Sequence, residues 1–134
     1  MLILSGLKSG EILYDLGSGD GRAVIMAAKD FGAKSFGIEL RDDLTKKAFT
    51  SIHELGLEEK TKIFNNDIFD VDLSSADVVF LYLTTSANER IKPKLELCMF
   101  MMCNFSFSFL HFFVLQKKMF KLCVFTYLPS LFSY

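Results

Sequence analysis

Apolar positions along the first two thirds of the chain come in short blocks, separated by polar stretches that glycine punctuates. Ile12 to Leu16 is one such block, closed at once by glycines, and it predicts a short buried strand. Residues 22–31, R-A-V-I-M-A-A-K-D-F, predict a helix, with Gly32 where a helix stops. Residues 35–40, S-F-G-I-E-L, predict a second strand. Leu44, Ala48, Ile52 and Leu55 recur at helical spacing and form one apolar stripe. That stripe predicts a second helix, capped by Asp42 or Asp43 and ended by Gly56. Thr61 to Phe64 predicts a brief third strand, and residues 77–83, D-V-V-F-L-Y-L, the strongest strand of all. Residues 86–97 have helical composition, which Pro93 is expected to break or kink. Strand, helix, strand, helix, strand, strand, helix implies an α/β fold with a parallel sheet and crossover helices.

Composition changes this picture at one point. The chain has 134 residues, enough for one small domain. Residues 1–97 hold 12 Lys+Arg and 16 Asp+Glu, whereas residues 98–134 hold three Lys, no acid and nine of the fifteen Phe. The two parts are therefore read separately, as a domain over 1–97 and an apolar, Phe-rich tail over 98–134. A net charge of -1 gives no general attraction to a nucleic-acid backbone. Cys98, Cys103 and Cys123 are odd in number and form no C-x-x-C pair, which argues against a disulfide framework and against a zinc site, and no metal is expected. A reducing compartment is expected, cytoplasmic or mitochondrial. The first ten residues lack the basic region of a secretion signal.

The candidate chemistry lies in D-L-G-S-G-D-G-R, residues 15–22. Three glycines directly after a strand imply a sharp backbone bend with a close approach to something. The spacing is G-x-G-x-G, with Arg22 where a dinucleotide fingerprint would place glycine, and no G-K-[ST] follows. A nicotinamide oxidoreductase and a P-loop protein are both disfavoured. Asp15 and Asp20 would repel a bound pyrophosphate and suit a ligand that carries positive charge. S-adenosylmethionine has an ammonium, a sulfonium and no phosphate. Glu39 stands at the end of the second strand, where a carboxylate can accept hydrogen bonds from ribose hydroxyls. Asp67 after the third strand can accept from an adenine amino group, with Ile68 against the ring. Each of these has a structural alternative: a turn for the glycines, a cap for Asp15, a solvated strand end for Glu39, a turn for Asp67, core for Tyr82. His53 and Glu58-Glu59-Lys60 read as solvated positions.

D-L-G-S-G-D-G-R, G-I-E-L and N-D-I-F resemble the cofactor motifs of class I S-adenosylmethionine-dependent methyltransferases. D-V-V-F-L-Y-L-T-T-S-A-N-E-R-I-K-P-K-L-E resembles, more specifically, the archaeal-type protein-lysine methyltransferases and their eukaryotic mitochondrial relatives. The resemblance covers roughly residues 2–97. It implies a Rossmann-like core with an incomplete sheet, S-adenosylmethionine as cofactor and a protein lysine as acceptor; no nucleic-acid partner is expected, given the charge balance and the absence of a D/N-P-P-Y motif. Position by position it implies that Asp15, Gly17, Gly19 and Gly21 form the methionine-side loop. Glu39 would hold the ribose, and Asp67 and Ile68 the adenine. Tyr82, Leu83 and Thr84 would face the methyl group and the acceptor. Asn88, Glu89, Lys92 and Pro93 would shape the site. Two rival readings stand beside it: a methyltransferase of another acceptor class, and a non-catalytic cofactor-binding or membrane-tethered fragment.

Beyond residue 97 the family's pattern is lost. The tail reads in three ways: a membrane anchor over residues 98–115, a replacement for missing strands around Val114 and Val124, or sequence of non-coding origin. The last is favoured, and its consequence is a fourth strand left with a bare apolar edge.

Overall fold

The computed structural model describes residues 6–104 and 121–127. The elements are β1 (Ile12–Leu16), α1 (Arg22–Phe31), β2 (Lys34–Glu39), α2 (Asp42–Glu54), β3 (Thr61–Asn65), β4 (Val78–Thr84), α3 (Thr85–Asn104) and β5 (Lys121–Tyr127). The five strands form one parallel sheet in the order β3-β2-β1-β4-β5.

The burial of β4 shows why its sequence is apolar without alternation. Val78 and Phe80 join a core with Leu13, Val24, Ala27, Ala48 and Ile52, beneath α1 and α2. Val79 and Leu81 join a second core with Leu16, Ile38, Ile91 and Leu95, beneath α3. Successive side chains point to opposite faces, so a parallel strand covered on both sides needs apolar residues at every position. On β1, Leu13 faces the first core and Leu16 the second, and both are fully buried. Buried polar groups between α1 and the sheet are satisfied: Ser35 Oγ donates to the Val24 carbonyl at 2.8 Å and pairs with Thr61 Oγ1 at 3.0 Å.

Helix α1 starts at Gly21 and ends at Gly32, whose left-handed backbone lets Ala33 N–H reach back to the Ala27 carbonyl at 3.1 Å. The cap of α2 differs from expectation. Arg41 holds the cap position, while Asp42 and Asp43 lie in the first turn, where negative charge favours the helix dipole. The buried face of α2 is also turned: Thr45, Ala48 and Ile52 are buried, and Leu55 is exposed past the helix end.

Pro93 does not break α3, which continues to Asn104. Proline removes the single hydrogen bond to the carbonyl four residues earlier, here that of Glu89. Both residues are exposed, so water can take that carbonyl's bond. The expectation of a bare edge on β4 is corrected too. β5 pairs with β4 in parallel from Val78↔Lys121 to Thr84↔Tyr127, so the run around Val124 does add a strand. Val124, Phe125, Thr126 and Tyr127 suit that place by their β-propensity. Val114 lies outside the described residues, as does most of the 98–115 window. Among the described residues no helix is long and apolar enough to cross a membrane.

Candidate active site

Strands β1, β2 and β3 are laid down in one direction across the sheet, and β4 then returns to the other side of β1. The order thus reverses between β1 and β4, and open α/β sheets bind ligands outside the carboxyl ends of the strands at such a point. The glycine loop, residues 17–21, sits there between β1 and α1.

Gly17, Gly19 and Gly21 have φ values of 84°, 57° and 82°. Side chains are rarely tolerated in that region, which accounts for glycine at each place. Their surroundings differ. A Cβ on Gly17 would strike Leu83 of β4, and one on Gly21 would lie 2.9 Å from Ala48 Cβ of α2. The close approach anticipated for these two glycines is to the protein's own side chains. A Cβ on Gly19 would meet nothing within 4 Å, so the backbone at Gly19 faces open space among the described residues. The loop is strapped to the end of β2: Gly17 and Ser18 N–H donate to the Ile38 carbonyl at 2.8 and 3.0 Å, and Gly21 N–H donates to the Ser18 carbonyl at 2.9 Å.

Glu39 is the other half of this strap. Its Oε2 accepts from Gly19 N–H and its Oε1 from Arg41 N–H, each at 2.9 Å. A carboxylate offers about four lone-pair sites, so two remain for a ligand. Asp15 lies close enough for the Glu39 charge to act on it. Burial, first, and that charge push the Asp15 carboxyl up to about 7. Two buried acids without a cation between them form a site that a positively charged group would stabilise. Asp20 plays a different part. Arg22 holds its carboxylate through Nε at 3.0 Å and a terminal nitrogen at 2.8 Å, and Lys47 stands 3.9 Å away. Its carboxyl therefore sits below the usual range, chiefly through the Arg22 hydrogen bond.

Two residues that lie within the quoted motifs but carry no role in the sequence reading also belong here, Ser18 and Gly37. Ser18 is buried and, among the described residues, its Oγ has no partner. Gly37 has no left-handed φ to explain it; a Cβ there would lie 2.5 Å from Ile63 Cδ1 and 2.7 Å from Ser18 Oγ. Glycine in a central strand facing a glycine loop signals such an approach.

Asn66 N–H donates to the Glu39 carbonyl at 3.2 Å, which brings the start of the β3–β4 connection beside Glu39. Asp67 follows, half-buried, with Oδ1 accepting from Phe69 N–H at 3.0 Å, and Ile68 packs on the second core. At the end of β4, Tyr82 is 48% exposed, which sets aside the reading of it as core. Leu83 touches the loop at Gly17 and also packs on the second core. Thr84 Oγ1 accepts from Ala87 N–H at 3.3 Å and so caps α3. Asn88 Nδ2 donates to the Leu83 carbonyl at 3.3 Å, and its Oδ1 is buried without a partner among the described residues. His53 is exposed and pairs with Glu58 at 2.6 Å, away from the loop. Among the described residues no cluster of His, Cys, Asp and Glu could hold a metal ion.

The residues brought together are Asp15, Ser18, Gly19, Glu39 and Leu83, with Asp67 and Ile68 joining beside Glu39. An open glycine backbone, an orphaned hydroxyl, a buried Asp15 with no countercharge and the spare acceptor sites of Glu39 fit a ligand with cationic and hydroxyl groups and no phosphate.

Comparison with known proteins agrees with this geometry. Over 97 residues the chain is 42% identical to a protein-lysine N-methyltransferase of Saccharolobus islandicus, which covers 72% of this chain and 60% of that protein. Over 85 residues it is 37% identical to the Caenorhabditis elegans lysine N-methyltransferase named for the C-subunit of ATP synthase, covering 63% of this chain and 44% of that protein. The chain thus spans about half the length of these two curated relatives. Among solved structures, an RNA methyltransferase from Salinibacter ruber in complex with S-adenosyl-L-homocysteine is 45% identical with a TM-score of 0.68, covering 70% of this chain and 61% of that one. A methyltransferase from Geobacter sulfurreducens, also with S-adenosyl-L-homocysteine, is 26% identical with a TM-score of 0.62, covering 72% and 41%. Residues 15–108 match the ANTKMT methyltransferase domain, and the chain belongs to that family.

Proposed function

We propose that this chain carries the S-adenosylmethionine site of a protein-lysine N-methyltransferase, with residues 1–97 as the part that builds the site. The observation that carries this reading is the buried pair Asp15 and Glu39 at the glycine loop, two acids set for an ammonium and for hydroxyls. The S-adenosyl-L-homocysteine held by the related structures has those groups and supports the assignment.

When bound, S-adenosylmethionine supplies a methyl group already activated on a sulfonium. Asp15 offers its carboxylate to the ammonium, and Glu39 uses its two free lone-pair sites for the ribose. Asp67 and Ile68 take the adenine. Tyr82, Leu83 and Thr84, at the end of β4, border the acceptor side. The protein aligns the acceptor and excludes water rather than supplying a strong base. A lysine acceptor has an unperturbed pKa of about 10.4 and must arrive neutral. An apolar channel lowers that value by disfavouring the charged amine.

Lysine is preferred over a nucleic-acid acceptor on two grounds. The names of the two curated relatives specify lysine. Residues 1–97, with 12 basic and 16 acidic residues, give no electrostatic footprint for a phosphate backbone. The test is incubation of the full chain with isotopically labelled S-adenosylmethionine, separately with a cellular protein extract and with total RNA, read by mass spectrometry. Methyl label on lysine that Glu39→Ala abolishes is the expected result. Label on RNA alone would transfer the assignment to the other acceptor class, and cofactor binding without any transfer would favour a non-catalytic fragment.

A further inference from the structure

Lys94 reads in the sequence only as part of K-P-K-L-E, yet the structure gives it an unusual set of partners. It lies on α3 between the buried Ile91 and Leu95 and is itself half-buried. Its Nζ donates to three backbone carbonyls of one loop: Ile68 at 3.1 Å, Phe69 at 2.6 Å and Val71 at 2.8 Å. An ammonium has three protons to donate, and all three go to a stretch of four residues. One turn earlier on α3, the Arg90 guanidinium stands 5.2 Å from the centroid of the Phe69 ring. Phe69 N–H in turn donates to Asp67 Oδ1. A continuous set of contacts therefore runs from Lys94 through Phe69 to the Asp67 carboxylate. These carbonyls lie between strands rather than within one, and carbonyls drawn out of water need a donor from somewhere.

We infer that Lys94 is a positioning residue for the adenine side of the cofactor site, clasping residues 68–71 so that Asp67 and Ile68 are held in place before the ligand arrives. The inference rests on the reading of Asp67 and Ile68 as adenine contacts. Pre-organisation of a loop raises affinity by removing the ordering cost from the binding step. Lys94 acts through the loop and touches no reacting atom.

The test compares the full chain with Lys94→Met by two readouts. The first is amide hydrogen exchange of peptides covering residues 66–72 and, as internal control, β1 and β4. The second is S-adenosylmethionine binding by calorimetry, at a temperature where circular dichroism shows both proteins folded. Loss of charged hydrogen bonds predicts loop exchange faster by about tenfold, unchanged exchange in β1 and β4, and a Kd raised by about tenfold. Unchanged loop exchange overturns the clasp whatever the binding result. Faster loop exchange with an unchanged Kd overturns the positioning role and leaves the cofactor reading intact. A folded parent that binds no S-adenosylmethionine overturns the cofactor reading and the positioning role together. Should Lys94→Met fail to fold, Lys94→Arg keeps the charge but offers a planar fork to three convergent carbonyls. The same readouts then apply, with shifts of about threefold expected and no shift in loop exchange overturning the clasp.

Discussion

Replacing Asp15 with asparagine should change how the stability of the protein depends on pH. The Asp15 carboxyl is 3% exposed and is pushed from 3.8 up to about 7 by burial and by the charge of Glu39. Below the ordinary carboxylate pKa, folded and unfolded chains both hold the proton and the group contributes nothing. As pH rises toward 7 the unfolded chain has released the proton while the folded chain retains it, so stability falls. Above about 7 both states are ionised and the penalty is constant. A shift of about three units corresponds to about 4 kcal/mol at about 1.4 kcal/mol per unit. Asparagine has the same shape and no proton to lose, so Asp15→Asn removes this slope. The assay is urea unfolding of parent and variant at several values between about pH 4 and about pH 8. Asp43, Asp72 and Glu58, whose carboxyls are held low by hydrogen bonds, contribute the opposite slope equally to both proteins and cancel in the difference. The stability of Asp15→Asn minus that of the parent should grow with pH by about 4 kcal/mol and level off near pH 7. Two parallel curves would refute the claim that Asp15 is a buried acid lacking a countercharge.

The other perturbations follow from single contacts. Glu39→Gln keeps one acceptor oxygen for two backbone N–H groups, so it should cost about 1–3 kcal/mol in urea unfolding and lower cofactor affinity as well. Gly17→Ala brings a Cβ against Leu83 and holds a side chain at a φ of 84°, and a loss of about 1–3 kcal/mol is expected. A cycle with Leu83→Ala should recover only the steric part, so that the two changes together cost less than their sum. Gly37→Ala should displace Ser18 or Ile63, and its mark is a rise in cofactor Kd larger than its loss of stability accounts for, measured by calorimetry and unfolding on the same sample.

How much could be read from the sequence depends on whether a residue's reason is local. The glycine loop and both helix stops were legible because a left-handed backbone all but demands glycine, as at Gly21 and Gly32. β4 was legible because burial on both faces leaves an uninterrupted apolar run. Asp15 and Glu39 were each legible as candidates, one before the loop and one at the end of the second strand, but their pairing was not: it comes from the parallel register of β1 and β2. Positions settled by tertiary contact were not. Leu55 fits the α2 stripe by spacing but lies past the turn that buries Ile52. Pro93 is harmless because its orphaned partner carbonyl belongs to the exposed Glu89. Asp20 looks like a ligand residue until Arg22 is seen folded back on it. β5 follows a compositional seam that argued for unrelated sequence, and only its pairing with β4 gives it a place. Lys94 carried one weak signal, a lysine beside the buried positions Ile91 and Leu95, and its three acceptors belong to a loop more than twenty residues earlier.

The most direct measurement is calorimetric titration of S-adenosylmethionine into the full chain, alongside Asp15→Ala and Glu39→Ala. Saturable binding to the parent is expected, with its loss in both variants, each confirmed as folded. A folded parent that gives no binding heat, or variants that bind as the parent does, would contradict the assignment of the Asp15–Glu39 pair as a cofactor site.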